Sequence, residues 1–150
     1  MKTVHKSVLI WFSAAEMFAL VADVPRYPEF LPWCDKARIL TQEKEGVTAE
    51  IGMSLAGFRQ SFVTQNNHVH LDNQGHSLAL KLIKGPFSRL EGDWQFIPVG
   101  DETARACRVD LRLSYGFESA TLAGLVGPVF DKIASSLVDA FVKRANQIYV

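Results

Sequence analysis

The chain contains 150 residues, of which 48% are hydrophobic and 21% are charged. This composition excludes a disordered chain and favours one domain, residues 1–150, with a sizeable core. Since 16 basic residues balance 16 acidic ones, no net charge attracts the whole chain to nucleic acid or anionic membrane, although a local basic patch is still allowed. The sequence has neither an apolar signal core after Met1 nor a run of about 18 apolar residues, which predicts a cytoplasmic protein.

The first elements are a strand and a short helix. Residues 2–11 place Val4, Val8 and Ile10 on one face, as in a half-buried strand. Ser13 and Glu16 then have the spacing of a helical capping box. The helix that follows is amphipathic and is expected to end at Pro25. Its apolar face contains Met17, Leu20, Val21 and Val24.

An aromatic segment follows, Tyr27-Pro28-Glu29-Phe30-Leu31-Pro32-Trp33-Cys34. Two prolines exclude a helix interior or a central strand, so we expect an ordered loop or a short distorted turn. Phe30, Leu31 and Trp33 either close one end of the core or line the mouth of a pocket, where they could also touch a membrane surface.

Six further segments alternate between apolar and polar residues, as expected of antiparallel strands that bury one face. They are residues 35–44, 47–55, 58–71, 78–83, 88–98 and 104–117. Turn signals separate them at Glu45-Gly46, Ala56-Gly57, Asn73-Gln74-Gly75 and Gly85-Pro86. Gly92 lies on an apolar face, where a bulge or a close-packed neighbour would require glycine.

The last third of the chain changes to a helical period. Apolar residues recur every three or four positions from Leu122 to Ile148, which predicts one long helix of roughly 40 Å at 1.5 Å per residue. Gly124, Gly127 and Pro128 are expected to bend or delay its first turns. Such a helix can cover a sheet with one apolar face, so the order of elements predicts an α+β fold.

This order and three sequence segments resemble the START-like (helix-grip) superfamily. The segments are FALVADVPRYPEFLPWC from Phe18, GPFSRLEGDWQF from Gly85 and GPVFDKIASSLVDAFVKRA from Gly127. Within it, the chain is most similar to the group of coenzyme Q-binding START-like proteins and bacterial ribosome-association toxins, which also carries older labels as cyclase or dehydrase. The resemblance implies a curved antiparallel sheet of about seven strands around the long helix, with a short helix after the first strand. It also implies a cavity for a lipophilic ligand such as ubiquinone, with no cofactor required.

On this reading, apolar residues of the loop, the strands and the long helix are the candidate ligand-binding residues, although such side chains equally suit a plain core. They are Phe30, Leu31, Trp33, Met53, Leu55, Phe58, Phe62, Leu80, Leu82, Trp94, Leu113, Tyr115, Phe130, Ile133, Leu137 and Phe141.

Polar candidates for catalysis or metal binding are few. His68 and His70 share one strand face and could bind a metal with a third ligand, but solvent-facing side chains account for them better. Cys34 and Cys107 form no metal-binding spacing and have no identifiable histidine partner. The inward polar residues Gln60 and Tyr115 likewise lack an evident activating partner, so the sequence indicates a protein without catalytic activity.

Two groups of basic residues are notable. Arg26, Lys36 and Arg38 flank the aromatic segment, either as a solvated rim or as contacts for phospholipid headgroups or ribosomal RNA. Lys143 and Arg144 on the long helix are expected to face solvent.

The family resemblance implies three alternative functions, which the residue patterns fit to different degrees. The first is a monomeric carrier for a hydrophobic small molecule, in peripheral contact with membranes. The second is a toxin that binds the large ribosomal subunit, which the balanced charge weakly disfavours. The third is a cyclase or aromatase, which would need an acid or base inside the cavity.

Overall fold

The computed structural model describes residues 2–55, 57–101 and 103–149. Its elements are β1 (Lys2–Ile10), α1 (Ala14–Ala22), a 3₁₀ helix (Val24–Glu29), β2 (Cys34–Gln42), β3 (Gly46–Leu55), β4 (Phe58–His70), a 3₁₀ turn (Asp72–Gln74), β5 (His76–Lys84), β6 (Phe87–Pro98), β7 (Cys107–Phe117) and α2 (Ala120–Ile148). Seven antiparallel strands form one curved sheet in the order β1-β7-β6-β5-β4-β3-β2. The predicted α+β helix-grip fold is confirmed.

Helix α1 begins with the predicted capping box. The Ser13 hydroxyl accepts a hydrogen bond from the Glu16 amide at 3.0 Å, and the Glu16 carboxylate accepts one from the Ser13 amide at 2.9 Å. Met17, Leu20 and Val21 are buried, so the helix packs its apolar face on the core.

The first half of the aromatic segment is a 3₁₀ helix rather than an irregular loop. The helix starts at Val24, so the buried Val24 belongs to it and not to α1. Pro25 lies in its first turn, where an amide proton would have no partner within the helix, and Pro28 lies further along inside it. The expectation of a short distorted turn is confirmed, and this turn leads directly into the chain segment before β2.

Helix α2 is continuous over 29 residues and starts at the N-cap Ser119. Pro128 lies inside it without ending it. Its buried stripe packs over the concave face of the sheet, which places the hydrophobic core between α2 and the strands. The stripe comprises Val126, Gly127, Phe130, Ala134, Val138, Phe141 and Ala145.

Two glycines of the sheet have the roles that the sequence indicates. A Cβ atom at Gly92 would lie 2.3 Å from the Arg112 carbonyl oxygen, so the close-packed neighbour is the backbone of β7. Gly57 has a φ of +82° in the β3–β4 turn, while its predicted turn partner Ala56 lies outside the described residues.

Candidate functional site

An apolar cavity of about 100 Å³ lies between the concave face of the sheet, α2 and the segment that joins α1 to β2. It is lined by Val24, Tyr27, Leu31, Trp33, Ile51, Phe62, Thr64, Asn66, Leu80, Leu90, Trp94, Leu113, Phe130, Ile133, Ala134, Leu137 and Phe141.

Periodicity brings these side chains together. Phe130, Ala134, Leu137 and Phe141 recur every three or four residues of α2, so they share the face that looks onto the sheet. On the strands, every second residue points to the concave side, as Leu80 does on β5. The cavity is therefore the space that the two sets of side chains leave between helix and sheet.

One polar pair interrupts the apolar lining. Thr64 is only 4% exposed, and its hydroxyl donates a hydrogen bond to Oδ1 of Asn66 at 2.8 Å. Asn66 lines the cavity next to Thr64, so both side chains of the pair belong to its wall. This pair is therefore the polar part of a mainly apolar wall.

The structure brings most of the predicted ligand-binding residues to this cavity. Those that line it are Leu31, Trp33, Phe62, Leu80, Trp94, Leu113, Phe130, Ile133, Leu137 and Phe141.

Phe30 differs from its neighbours Leu31 and Trp33 because its side chain does not line the cavity. Its ring packs edge-on against Phe141, with ring centroids 5.2 Å apart. The guanidinium of Arg144 lies 5.0 Å from the centroid of the Phe30 ring. Phe30 therefore packs against the core beside α2, while Leu31 and Trp33 form part of the cavity wall.

Four other predicted residues also lie away from the cavity. Met53 and Leu55 are buried in the core near the end of β3, and Leu82 is half-buried against it. Phe58 is 36% exposed, because β4 begins at the tip of a hairpin where neighbouring side chains are also exposed. The alternation of residues along a strand therefore identifies those on the concave side of the sheet. It does not identify which of them face α2, because the ends of the strands extend beyond the helix.

Tyr115 is buried, but its hydroxyl donates a hydrogen bond to Asp131 of α2 rather than facing the cavity. Burial and the Asp131 carboxylate raise the pKa of the Tyr115 hydroxyl far above its usual range. Asp131 also forms an ion pair with Lys2 of β1. These contacts join α2 to two strands, which is a structural role.

The sequence analysis missed seven lining residues, and strand parity could have identified some of them. Thr64 and Asn66 are alternate residues of β4 after Phe62 and therefore share its face of the sheet. Ile51 and Leu90 lie on strand faces already predicted to be apolar. The others are Val24, Tyr27 and Ala134.

The two thiols are poor nucleophiles. Burial raises the pKa of both Cys34 and Cys107 to about 11, so both thiols stay protonated at neutral pH. Gln60, which was expected to point inward, is exposed close to the β3–β4 turn.

The predicted basic rim is partly neutralised by carboxylates. Lys36 and Arg38 both pair with Glu50, at 3.5 and 2.7 Å. Arg26 pairs with Glu29 at 3.2 Å. Arg144, expected to face solvent, has a side chain only 16% exposed and pairs with Glu29 at 2.6 Å, because the 3₁₀ helix packs against the end of α2.

A third histidine joins the predicted pair at the far end of the concave face. His76 of β5 lies opposite His70 in the strand register. His68 is half-buried rather than solvent-facing, because Phe18 of α1 stacks on its ring with centroids 4.0 Å apart.

Comparison with known proteins identifies a matching family model and similar sequences. Residues 10–142 match the family model described as polyketide cyclase / dehydrase and lipid transport. The ribosome association toxin RatA of Vibrio cholerae is 42% identical over 149 residues, which cover 99% of both chains. The mitochondrial coenzyme Q-binding protein COQ10 homolog B of Xenopus laevis is 29% identical over 96% of this chain and 58% of its own.

A solved structure extends the likeness at the level of the fold. The Zhui aromatase/cyclase from Streptomyces superposes with a TM-score of 0.79 at 17% identity, over 99% of this chain and 96% of that one. The chain therefore belongs to the polyketide cyclase / dehydrase and lipid transport family, with the START-like fold.

Proposed function

We propose that the protein binds a hydrophobic ligand of the ubiquinone type between the sheet and α2 and acts as its carrier rather than as an enzyme. The observation that carries this proposal is the apolar cavity with its single polar pair, Thr64 and Asn66. A quinone ring is flat, apolar and edged by carbonyl acceptors. The aromatic wall would cover its faces while the Asn66 amide donates to a carbonyl.

The cavity has to widen to admit such a ligand. Its volume of about 100 Å³ lies below the roughly 300–1,000 Å³ of typical ligand pockets. Backbone hydrogen bonds hold the strands from β3 through β7 together as one sheet. Helix α2, in contrast, faces the cavity with side chains alone. We therefore expect α2 and the half-buried Trp33 to move outward, while the strands stay in place.

Tryptophan fluorescence tests the proposal. Trp33 and Trp94 line the cavity, whereas Trp11 is 77% exposed and supplies only background. In a Trp11→Phe protein, a ubiquinone analogue with a short isoprenoid tail should quench the remaining fluorescence saturably.

Matched substitutions on α2 distinguish the cavity from surface binding. Ala134 lines the cavity, whereas Ala140 is half-buried on the same helix outside it. Ala134→Leu should fill the space and abolish saturable quenching, while Ala140→Leu should leave it unchanged. Equal quenching in a folded Ala134→Leu protein would refute binding in this cavity.

Ribosome association is a second candidate function, favoured by the name and 42% identity of the Vibrio cholerae relative. Lys36 and Arg38 share the single carboxylate of Glu50, so only part of their positive charge is neutralised beside the aromatic segment. Contacts with RNA would weaken steeply with salt because they release counterions.

Sedimentation with purified large ribosomal subunits at low and moderate salt tests this candidate. Binding that falls with salt and is lost in a Lys36→Glu, Arg38→Glu double variant would support it, with Lys143→Glu on α2 as the matched control. Absence of the protein from the subunit fraction at both salt concentrations would exclude it.

A further inference from the structure

Three of the four histidines of the chain converge at the end of the β4–β5 hairpin. His68 and His70 lie two residues apart on the concave side of β4, and His76 lies opposite His70 on β5. Nε2 of His68 and Nδ1 of His76 are 3.1 Å apart, and each of the three residues offers one ring nitrogen within 4.8 Å of the others.

This spacing suits a tetrahedral metal ion. With zinc–nitrogen bonds of 2.0–2.1 Å, two imidazole nitrogens on one zinc ion lie roughly 3.3 Å apart. The His68–His76 separation is already close to this value. The three ring nitrogens all lie within 4.8 Å of one another, and exposed His70 is free to rotate toward the other two.

We propose that His68, His70 and His76 form a binding site for a zinc-class divalent cation, with water in the fourth position. Three histidines with one open position are a donor set used by protein zinc sites. The site lies beyond the Asn66 end of the cavity lining, so it is separate from the proposed ligand cavity.

Phe18 of α1 holds two of the ligands in place. Its ring stacks on His68 with centroids 4.0 Å apart and on His76 at 4.8 Å. It also packs edge-on against Phe96 of β6, so the stack is anchored in the core. Two fixed imidazoles reduce the conformational entropy that binding would otherwise cost.

The protonation state of these rings is favourable for metal binding. Burial, followed by the neighbouring histidines, lowers the pKa of both His68 and His76. Both imidazoles are therefore mainly neutral at pH 7 and keep a lone pair for a metal ion.

A simpler interpretation is that His68 and His76 only share a hydrogen bond and stack under Phe18. In this interpretation His70 only packs its ring beside His68, with centroids 4.3 Å apart, whereas a metal site requires its ring nitrogen. His70 is therefore the residue that separates the two interpretations, and its exposure makes its replacement harmless to folding.

Isothermal titration of the tag-free protein with Zn²⁺ at pH 7.5 is the test. We expect one ion per chain with micromolar affinity, and at least tenfold weaker binding in His70→Gln and His76→Gln. His5→Gln is the matched control, because His5 pairs with Asp110 on the outer face of the sheet. Wild-type affinity in His70→Gln, or no Zn²⁺ binding by the wild type, would overturn the proposal.

Histidine side-chain NMR provides a readout that is independent of affinity. Zn²⁺ should shift the ring nitrogens of His68, His70 and His76 together and leave those of His5 unchanged. Shifts confined to His5, or equal across all four rings, would also overturn the proposal.

Discussion

Individual side chains on the concave face of β4 change from apolar to polar along the strand. Phe62 and the Thr64–Asn66 pair line the cavity, and His68 and His70 continue the same face beyond it. Because successive inward residues are only about 7 Å apart, a single strand can supply an apolar wall, a hydrogen-bond donor and metal ligands in sequence. Substitutions on this strand can therefore separate these roles.

Replacement of Asn66 tests the role of the polar pair in ligand binding. Asn66→Leu removes the amide donor, so we expect about tenfold weaker binding of a ubiquinone analogue, equivalent to one hydrogen bond of about 1–1.5 kcal/mol. Asn67→Leu, on the exposed side of the same strand, should bind normally. A purely hydrocarbon ligand should not distinguish Asn66→Leu from wild type. Unchanged quinone affinity in Asn66→Leu would show that the amide does not contact the ligand.

The ion pair between Glu16 and Arg105 predicts a dependence of stability on pH. The hydrogen bond from Arg105 lowers the pKa of Glu16 from 4.5 to about 2. A carboxylate with a depressed folded-state pKa adds stability that is complete above its unfolded pKa and is lost as pH falls toward its folded pKa. Arg105→Gln should therefore lower the melting temperature at pH 6 but hardly at pH 2. Arg108→Gln, on the outer face of β7, is the control, and a pH-independent effect of Arg105→Gln would contradict this reasoning.

Helix α2 contributes to the fold through its buried stripe, and Val138 lies at the centre of that stripe with 1% exposure. Val138→Asp would bury an unpaired charge, so we expect a loss of about 3–5 kcal/mol in the free energy of unfolding. Ser135→Asp, on the exposed side of the same helix, should change it by about 0.5 kcal/mol or less. Urea denaturation of the two variants measures the difference, and equal midpoints would place the buried stripe on the wrong face.

Two glycines in different elements predict opposite effects of the same substitution. Gly92→Ala places Cβ against the backbone of β7 and should destabilise the sheet by about 1–3 kcal/mol. A Cβ atom at Gly124 of α2 would instead point into open space, with no neighbouring element within 4 Å. Gly124→Ala should therefore stabilise the protein by about 0.5–1 kcal/mol through helix propensity. Thermal melts that shift in the same direction for both variants would contradict this contrast.

At the scale of the whole molecule, the fold could be predicted because each element has one clear period. Strands that bury one face alternate between apolar and polar residues, and apolar residues of α2 recur every three or four positions. Turn residues mark the ends of the elements. The capping box at Ser13 even located the start of α1. Local patterns therefore defined the elements, and the family resemblance supplied their arrangement.

The contacts between elements were less predictable, because sequence periodicity does not determine register or charge pairing. The role of His76 depends on its position opposite His70, and the exposure of Phe58 depends on where α2 stops covering the sheet. The burial of Arg144 depends on a carboxylate more than a hundred positions away, Glu29. Each of these features arises only when distant segments of the chain are packed together.

The strand order has a consequence for biosynthesis. Strands β2 to β7 pair with their neighbours in chain order, but β1 pairs with β7, from Lys2 opposite Tyr115 to Ile10 opposite Cys107. At 5–20 residues per second, a nascent chain would hold β1 without its partner for roughly 5–20 s. The apolar face of α1 would also stay exposed to solvent until the elements that cover it are synthesised. Strand β1 is thus translated long before its partner strand and is among the last strands to be docked into the sheet.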